Sequence, residues 1–362
     1  MRAMATALAT AACLVALARV VVHAEDAAKG HEPMQSEQEF VAQEWPFAPG
    51  ERKVKMHVEA PAAGITAGTG LMLVLHNWGG RYNEAHYVAW CREFADRYNV
   101  VAASVNYLQS GGQPEAEGRR PYDCGYLQAI DCLRALYTID EQLRACGTTY
   151  NPRRCYAMGG SGGGNVSLMV SKFAPHTFAC VIDICGMPGL TDGIAYGLRE
   201  TGTSLDAGYS RDPASPAFLA RHMQEIRDPG FPAHLAIQFK ANPASKVVIV
   251  HGLDDTSCPA VDKIRIFHDM VAAGFRPDGH FITPGLVDGK AVTTTGHPVG
   301  NRMLVVERFA DAYLLEAGAQ ALAVPGPNDF ERKTDVVFPV TGGQYVVDYS
   351  HGPPSIRFEA EP

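Results

Sequence analysis

A single hydroxyl stands among five glycines in YAMGGSGGGNVSLMV, residues 156–170. Two chemistries use such a stretch. Glycines can free backbone N–H groups to wrap a phosphate, or they can relieve crowding around a nucleophilic serine on a tight turn. The phosphate reading is the weaker. No G-x-x-x-x-G-K-[ST] occurs, and GSGGGN lacks the third glycine of G-x-G-x-x-G. The turn also follows several strand-like runs, whereas a dinucleotide turn belongs after the first strand of its unit. Gly159, Ser161 and Gly163 instead satisfy G-x-S-x-G, with an apolar run before and a helical pattern after. A serine at a sharp strand-to-helix turn has a strained backbone, so residues two before and two after must be tiny. The helix start then supplies free N–H groups, that of Gly162 first, for a developing oxyanion.

The elements that must position this serine follow from hydrophobic periodicity. KVKMHVEA alternates like an edge strand, and GLMLVLHN is a short continuous run of a buried one. NEAHYVAWCREFADRYN has helical spacing, with Asn83 as its cap. VVAASVNYL, RCYAMGG and FACVIDICG read as strands, and GYLQAIDCLRALYTIDEQLRA and GGNVSLMVSKFA as helices between them. The alternation breaks over 187–242, which is rich in Gly, Pro and Asp. It resumes with SKVVIVHG, AVDKIRIFHDMVAAG, GHFITPG and NRMLVVERFADAYLLEAG. Such alternation predicts an α/β fold, a doubly wound and mostly parallel sheet with helices on both faces. The organisation expected is a leader over 1–24, a linker over 25–50 and the main domain over 51–322. Residues 187–242 form a lid insertion, and 323–362 a β-like tail carrying a small appended hairpin.

VVIVHGLDDTSCPA places carboxylates at the end of an apolar strand, at the sheet edge that carries Ser161. Here the sequence resembles the α/β-hydrolase superfamily, particularly its dienelactone-hydrolase and prolyl-oligopeptidase-like branches. Their acid-strand pattern H-G-x-x-D-x-x-x-P is matched by His251, Gly252, Asp255 and Pro259. That alignment selects Asp255 and leaves Asp254 as a solvated or turn-capping neighbour. The superfamily carries its base between the last strand and the last helix, where TTTGHPVGNRM presents His297. His251, His268 and His280 read as structural. LHNWGGRY resembles the H-G-x-G-G stretch of the superfamily, with Asn77 in place of the first glycine, so the Trp78 N–H is the expected second oxyanion donor. PYDCGYLQAID resembles a segment of an uncharacterised bacterial α/β-hydrolase family through Asp123, Gly125, Gln128 and Asp131, residues that also suit a turn and helix cap. The superfamily resemblance covers roughly residues 50–320.

Composition sets the frame. The 362 residues are 46% hydrophobic and 19% charged with a formal charge of −8, so nothing favours a nucleic-acid backbone as partner. MRAMATALATAACLVALARVVVHAEDA reads as a secretory leader, cleaved after Ala18 or Ala24, with no stable membrane insertion after processing. Beyond Cys13, eight cysteines remain, and in an exported chain an even count points to disulfides, with Cys124–Cys132 and Cys180–Cys185 nearest in sequence. No CxxC or HxxxH spacing marks a metal site, and no metal or organic cofactor is implied. The expectation is an exported serine hydrolase cleaving a small-molecule carboxylic ester through Ser161, Asp255 and His297. A prolyl-oligopeptidase-like peptidase and a non-catalytic binder on the same fold are the alternatives. Residues 25–50 are too few for one ~40-residue propeller blade, which tilts the expectation towards esters.

Overall fold

Short apolar runs rich in Val, Ile and Leu build a sheet whose helices cover both faces. The computed structural model describes residues 34–112, 120–318 and 320–361; the leader lies outside the described residues. The main-sheet strands are β1 (Glu37–Ala42), β2 (Arg52–Glu59), β3 (Gly70–Leu75), β4 (Val100–Val105), β5 (Cys155–Gly160), β6 (Cys180–Ile184), β7 (Lys246–Gly252) and β8 (Asp278–Ile282). Their spatial order is β1-β2-β4-β3-β5-β6-β7-β8. Pairing is antiparallel for β1/β2 and β2/β4 and parallel from β4 to β8. All residues of β3 to β6 are buried, as strands covered on both faces must be.

Helices α1 (Ala85–Tyr98), α2 (Tyr126–Ala145), α3 (Gly162–Phe173), α4 (Asp192–Tyr196), α5 (Arg221–Ile226), α6 (Pro232–Ala241), α7 (Ala260–Ala272), α8 (Arg302–Leu314) and α9 (Asp329–Arg332) connect and cover the strands. Tyr87, Phe94 and Tyr98 of α1 and Val305, Val306 and Leu314 of α8 form one core with Met72, Met158, Ile182 and Val248 from the sheet. On the opposite face α3 packs against β3, β5, β6 and α2. α1 starts one residue later than expected, its cap being Glu84 rather than Asn83.

Three expectations change. The segment read as linker contains β1, so β2 is an inner strand; EQEFVA buries only Phe40 and Ala42, too weak an alternation to stand out in a polar stretch. The tail is a three-stranded antiparallel sheet, β9 (Val336–Val340), β10 (Gly343–Asp348) and β11 (Ser355–Ala360), in order β11-β10-β9. The side chain of Gln43 fixes its last strand, donating to Ile356 O (2.7 Å) and accepting from Ile356 N (2.8 Å). Finally, all eight cysteines of the described residues are unpaired, and only Cys146 is exposed. Cys180 opens β6 and Cys185 follows its last residue, and five strand residues span roughly 16 Å; Cys124 precedes α2, whereas Cys132 lies about 9 Å along the helix from its first residue, Tyr126. A disulfide needs Cα atoms about 4.4–6.8 Å apart.

Candidate active site

Ser161 lies between the last residue of β5 and the first of α3, with φ 57° and ψ −124°, a backbone strained for any residue but glycine. The surroundings hold it there: its N–H donates to Ile184 O (3.0 Å), and its carbonyl accepts from Met187 N (2.9 Å) and Gly164 N (3.0 Å). A Cβ on Gly159 would sit 2.2 Å from Gly163 O, and one on Gly163 would sit 2.5 Å from the carbonyl oxygens of both Leu75 and His76. The glycines of the motif are thus set by close approach of helix, strand and loop backbone.

The loop after β7 carries Asp255. Its Oδ1 accepts the N–H groups of Ser257 and Cys258, both at 2.8 Å, and its Oδ2 accepts from His297 Nδ1 at 2.8 Å. Burial alone would raise this carboxyl, but the bonds from His297 and from the Cys258 N–H outweigh it and hold Asp255 below its usual range. The Asp255 side chain is 0% exposed and that of His297 18%, so the pair is buried on the acid side and open on the imidazole side. Asp254 instead accepts the Thr295 hydroxyl at 2.6 Å. His251 is buried and donates from Nε2 to Cys258 O (2.8 Å), His268 is exposed on α7, and the His280 ring packs 4.3 Å from Phe309. The Ser161 hydroxyl makes no hydrogen bond to His297 or to any other described residue. What joins the two is register: Gly160 pairs with Ile184, and Cys185, the next residue, brings Sγ into a group with Asp255 and His297 whose ligand atoms lie within 4.8 Å of one another. Catalytic hydrogen bonds are commonly long before substrate arrives.

On the other side of Ser161 stands the loop after β3. A Cβ on Gly162 would meet Trp78 N at 2.7 Å, so the two backbones touch. Neither the Trp78 nor the Gly162 N–H finds an acceptor among the described residues. The Trp78 ring stacks on Tyr122, centroids 3.6 Å apart and planes within 6°. Asn77 does not need the glycine it replaces, because its φ is not positive. Its side chain has work of its own: Tyr87 OH donates to Asn77 Oδ1 (2.6 Å) and accepts the Asn77 N–H (3.0 Å). Arg302 donates to the same hydroxyl (3.4 Å) and lies against Gly160 without a carboxylate partner among the described residues. Tyr87 and Arg302 escaped sequence reasoning, since an aromatic in an amphipathic helix looks like core and an arginine opening a helix looks like a solvated face.

The stretch 121–131 is scaffold. Asp123 accepts the Gln128 N–H (2.9 Å) at the start of α2, Gln128 bonds Gly125 N and Leu108 O, and Asp131 takes a bidentate pair from Arg52. Buried Arg227, from the insertion, donates to Asp123 O (2.8 Å) and ties insertion to scaffold. The insertion's Leu190, Ile194, Ala207, Tyr209 and Leu219 form an apolar cluster with Met187, Tyr122 and Cys258, against which Trp78 and Tyr196 pack. Tyr209 is thus taken up in packing, and Phe231 packs on His234, ring centroids 4.5 Å apart. No helix among the described residues is long and apolar enough to cross a membrane.

A family model described as a protein of unknown function, DUF2920, matches residues 120–340. The chain belongs to this family. The match opens one residue before PYDCGYLQAID and runs through the elbow, the insertion, the acid loop and the His297 loop. Among solved structures, the DUF2920 chain is similar to the acylaminoacyl peptidase of Pyrococcus horikoshii, at 15% identity and TM-score 0.51, covering 76% of this chain and 40% of that one. It is also similar to a dipeptidyl aminopeptidase IV-like protein from Bacteroides ovatus, at 14% identity and TM-score 0.50, covering 77% and 35%. The chain thus spans about two-fifths of the peptidase's length. No curated protein matches it. The fold is that of the α/β-hydrolases, as the sequence resemblance implies.

Proposed function

We propose that this DUF2920 protein is an exported serine hydrolase that cleaves carboxylic esters through an acyl-enzyme on Ser161. The observation that carries the reading is the Asp255–His297 hydrogen bond of 2.8 Å, at the same sheet edge as a serine with positive φ. Asp255 fixes the proton on Nδ1, so the Nε2 lone pair is the free one. His297 takes the Ser161 proton as Oγ attacks the ester carbonyl, and returns it to the departing alkoxide. The unpartnered N–H groups of Trp78 and Gly162 receive the oxyanion, each worth roughly 2.7–4 kcal/mol of barrier by analogy with measured donors. Water then repeats the sequence to release the acid. Export rests on the leader-like residues 1–24, and the mass of the protein recovered outside the cytoplasm tests it.

A fluorophosphonate should label Ser161 of the purified protein, because such reagents require an activated hydroxyl beside a base. Ser161→Ala should abolish labelling with thermal unfolding unchanged; labelling that survives the substitution would sink the assignment. The structural relatives named above are peptidases by title, which keeps amide hydrolysis as the second reading. Esters ask less of the site, because an alkoxide leaves more readily than an amine. Turnover of an unactivated alkyl ester should exceed that of prolyl or dipeptide anilides by at least ~100-fold in kcat/KM, about 2.7 kcal/mol. Anilides turned over as fast as the ester would decide for the peptidase.

A further inference from the structure

Cys185 takes no part in the chemistry above, yet it stands among the residues that do. It has φ 45°, an uncommon backbone for a side chain larger than glycine, at the turn leaving β6. Its buried thiol, the Asp255 carboxylate and the His297 imidazole each offer one ligand atom, all within 4.8 Å of one another. Among the described residues no other group of three His, Cys, Asp or Glu is so placed. The three arrive from the ends of β6 and β7 and from the loop before α8, so no spacing motif could announce them.

We infer that Cys185, Asp255 and His297 form a binding site for a thiophilic divalent cation such as Zn2+, which switches the hydrolase off by capturing its base and its acid together. Thiolate, imidazole and carboxylate in a set of three suit Zn2+ and not the all-oxygen preferences of Ca2+ or Mg2+. Tetrahedral zinc with bonds of ~2.0–2.3 Å spaces its ligand atoms roughly 3.3–3.7 Å apart. The 2.8 Å Nδ1–Oδ2 contact must open slightly and the sulfur must close in, shifts of about an ångström or less for side chains of this length. His297 is the partly exposed member, so an ion enters from its side and keeps a water in the fourth position.

Protons and charge balance. A cation that binds the Cys185 sulfur displaces the thiol proton, because a coordinating thiol is deprotonated. That proton leaves to solvent, the carboxylate is already ionised, and the imidazole proton moves from Nδ1 to Nε2. The loaded site is neutral overall, which a buried position tolerates. Nε2, now protonated, offers Ser161 no lone pair. Occupancy stands on the ligand geometry alone; loss of turnover rests on the proposed triad.

The test uses the metal-free chain carrying Cys146→Ser, which removes the exposed thiol. Titration with Co2+ should give a sulfur-to-cobalt charge-transfer band and tetrahedral visible absorption, saturating at one ion per chain and displaced by Zn2+. Adding Cys185→Ala or Cys185→Ser should abolish the band and weaken Zn2+ binding at least ~100-fold, more than loss of an outer partner does. Metal-free ester turnover should stay within about 3-fold of the parent, while the half-inhibiting Zn2+ concentration rises by the same ~100-fold. Absence of the band in the parent, or its persistence without Cys185, would overturn the site. Turnover that continues at Zn2+ levels saturating the band would overturn the switch. A Cys185-dependent band in a protein without ester turnover would leave the site standing and remove the ester-hydrolase reading instead.

Discussion

Replacing Asp255 by Asn changes one atom, and the structure dictates what that atom does. Oδ1 accepts two backbone N–H groups, from Ser257 and Cys258, and Oδ2 faces His297 Nδ1. An asparagine turned with its NH2 towards the backbone pair would leave two buried donors unsatisfied, at about 1–3 kcal/mol each. The amide oxygen therefore stays on the backbone and the NH2 group meets Nδ1. The imidazole can then only accept at Nδ1, which puts its proton on Nε2 and leaves the proposed triad without a base. The corresponding substitution in a serine protease lowers kcat about 10⁴-fold, or roughly 5 kcal/mol of barrier, and the same loss is expected here. Asp254→Asn is the control: Asp254 is exposed, and an amide oxygen can keep the Thr295 bond. It should change kcat by no more than about 3-fold. Steady-state hydrolysis of p-nitrophenyl butyrate measures both, with thermal unfolding alongside to show that each variant is folded. Activity of Asp255→Asn within tenfold of the parent, or Asp254→Asn as the damaging change, would refute the reasoning.

Acid should strip stability through the buried histidines. Burial lowers His76 from 6.5 to about 4 and acts likewise on His234 and His251, so they stay neutral in the fold while the unfolded chain binds protons. This contribution is whole above pH ~6.5 and lost as pH falls towards 4, roughly 3 kcal/mol for His76. Asp131, raised by burial to about 6, opposes it over the same window, so the comparison must be between variants. The urea-measured deficit of His76→Gln should shrink by that amount between pH 7.5 and 4, and a constant deficit would contradict the assignment. Gly163→Ala, whose Cβ would lie 2.5 Å from two carbonyl oxygens, should destabilise by at least about 1–3 kcal/mol and lose fluorophosphonate labelling; a stable, fully labelled variant would remove the close-approach argument. Tyr87→Phe frees the Asn77 side chain and loosens the loop bearing Trp78, so kcat should fall about 10- to 100-fold with KM little changed, as for a misplaced donor. A rise in KM with kcat unchanged would assign Tyr87 to substrate binding.

The residues that carry the strongest local physics were legible in the chain. Ser161 was, because only glycine fits where β5, α3 and the loop after β3 approach so closely, and that demand is written into adjacent positions. The parallel strands β3 to β7 were, because burial on both faces forces continuous apolar runs. β1 and β11 were not: each buries few side chains, and its place is fixed by pairing with a partner strand rather than by its own pattern. The H-G-x-x-D-x-x-x-P spacing also favoured Asp255 over Asp254, and the loop turns the first towards His297 and the second towards Thr295. Tertiary structure alone decided how the cysteines lie. Cys124 before α2 and Cys132 inside it, near in sequence, stay unpaired, while Cys185, far in sequence from positions 255 and 297, is brought beside them by the sheet. Sequence fixes what local backbone geometry requires of neighbouring residues; the meeting of groups from distant strand ends depends on the register of the whole sheet, which no single stretch encodes.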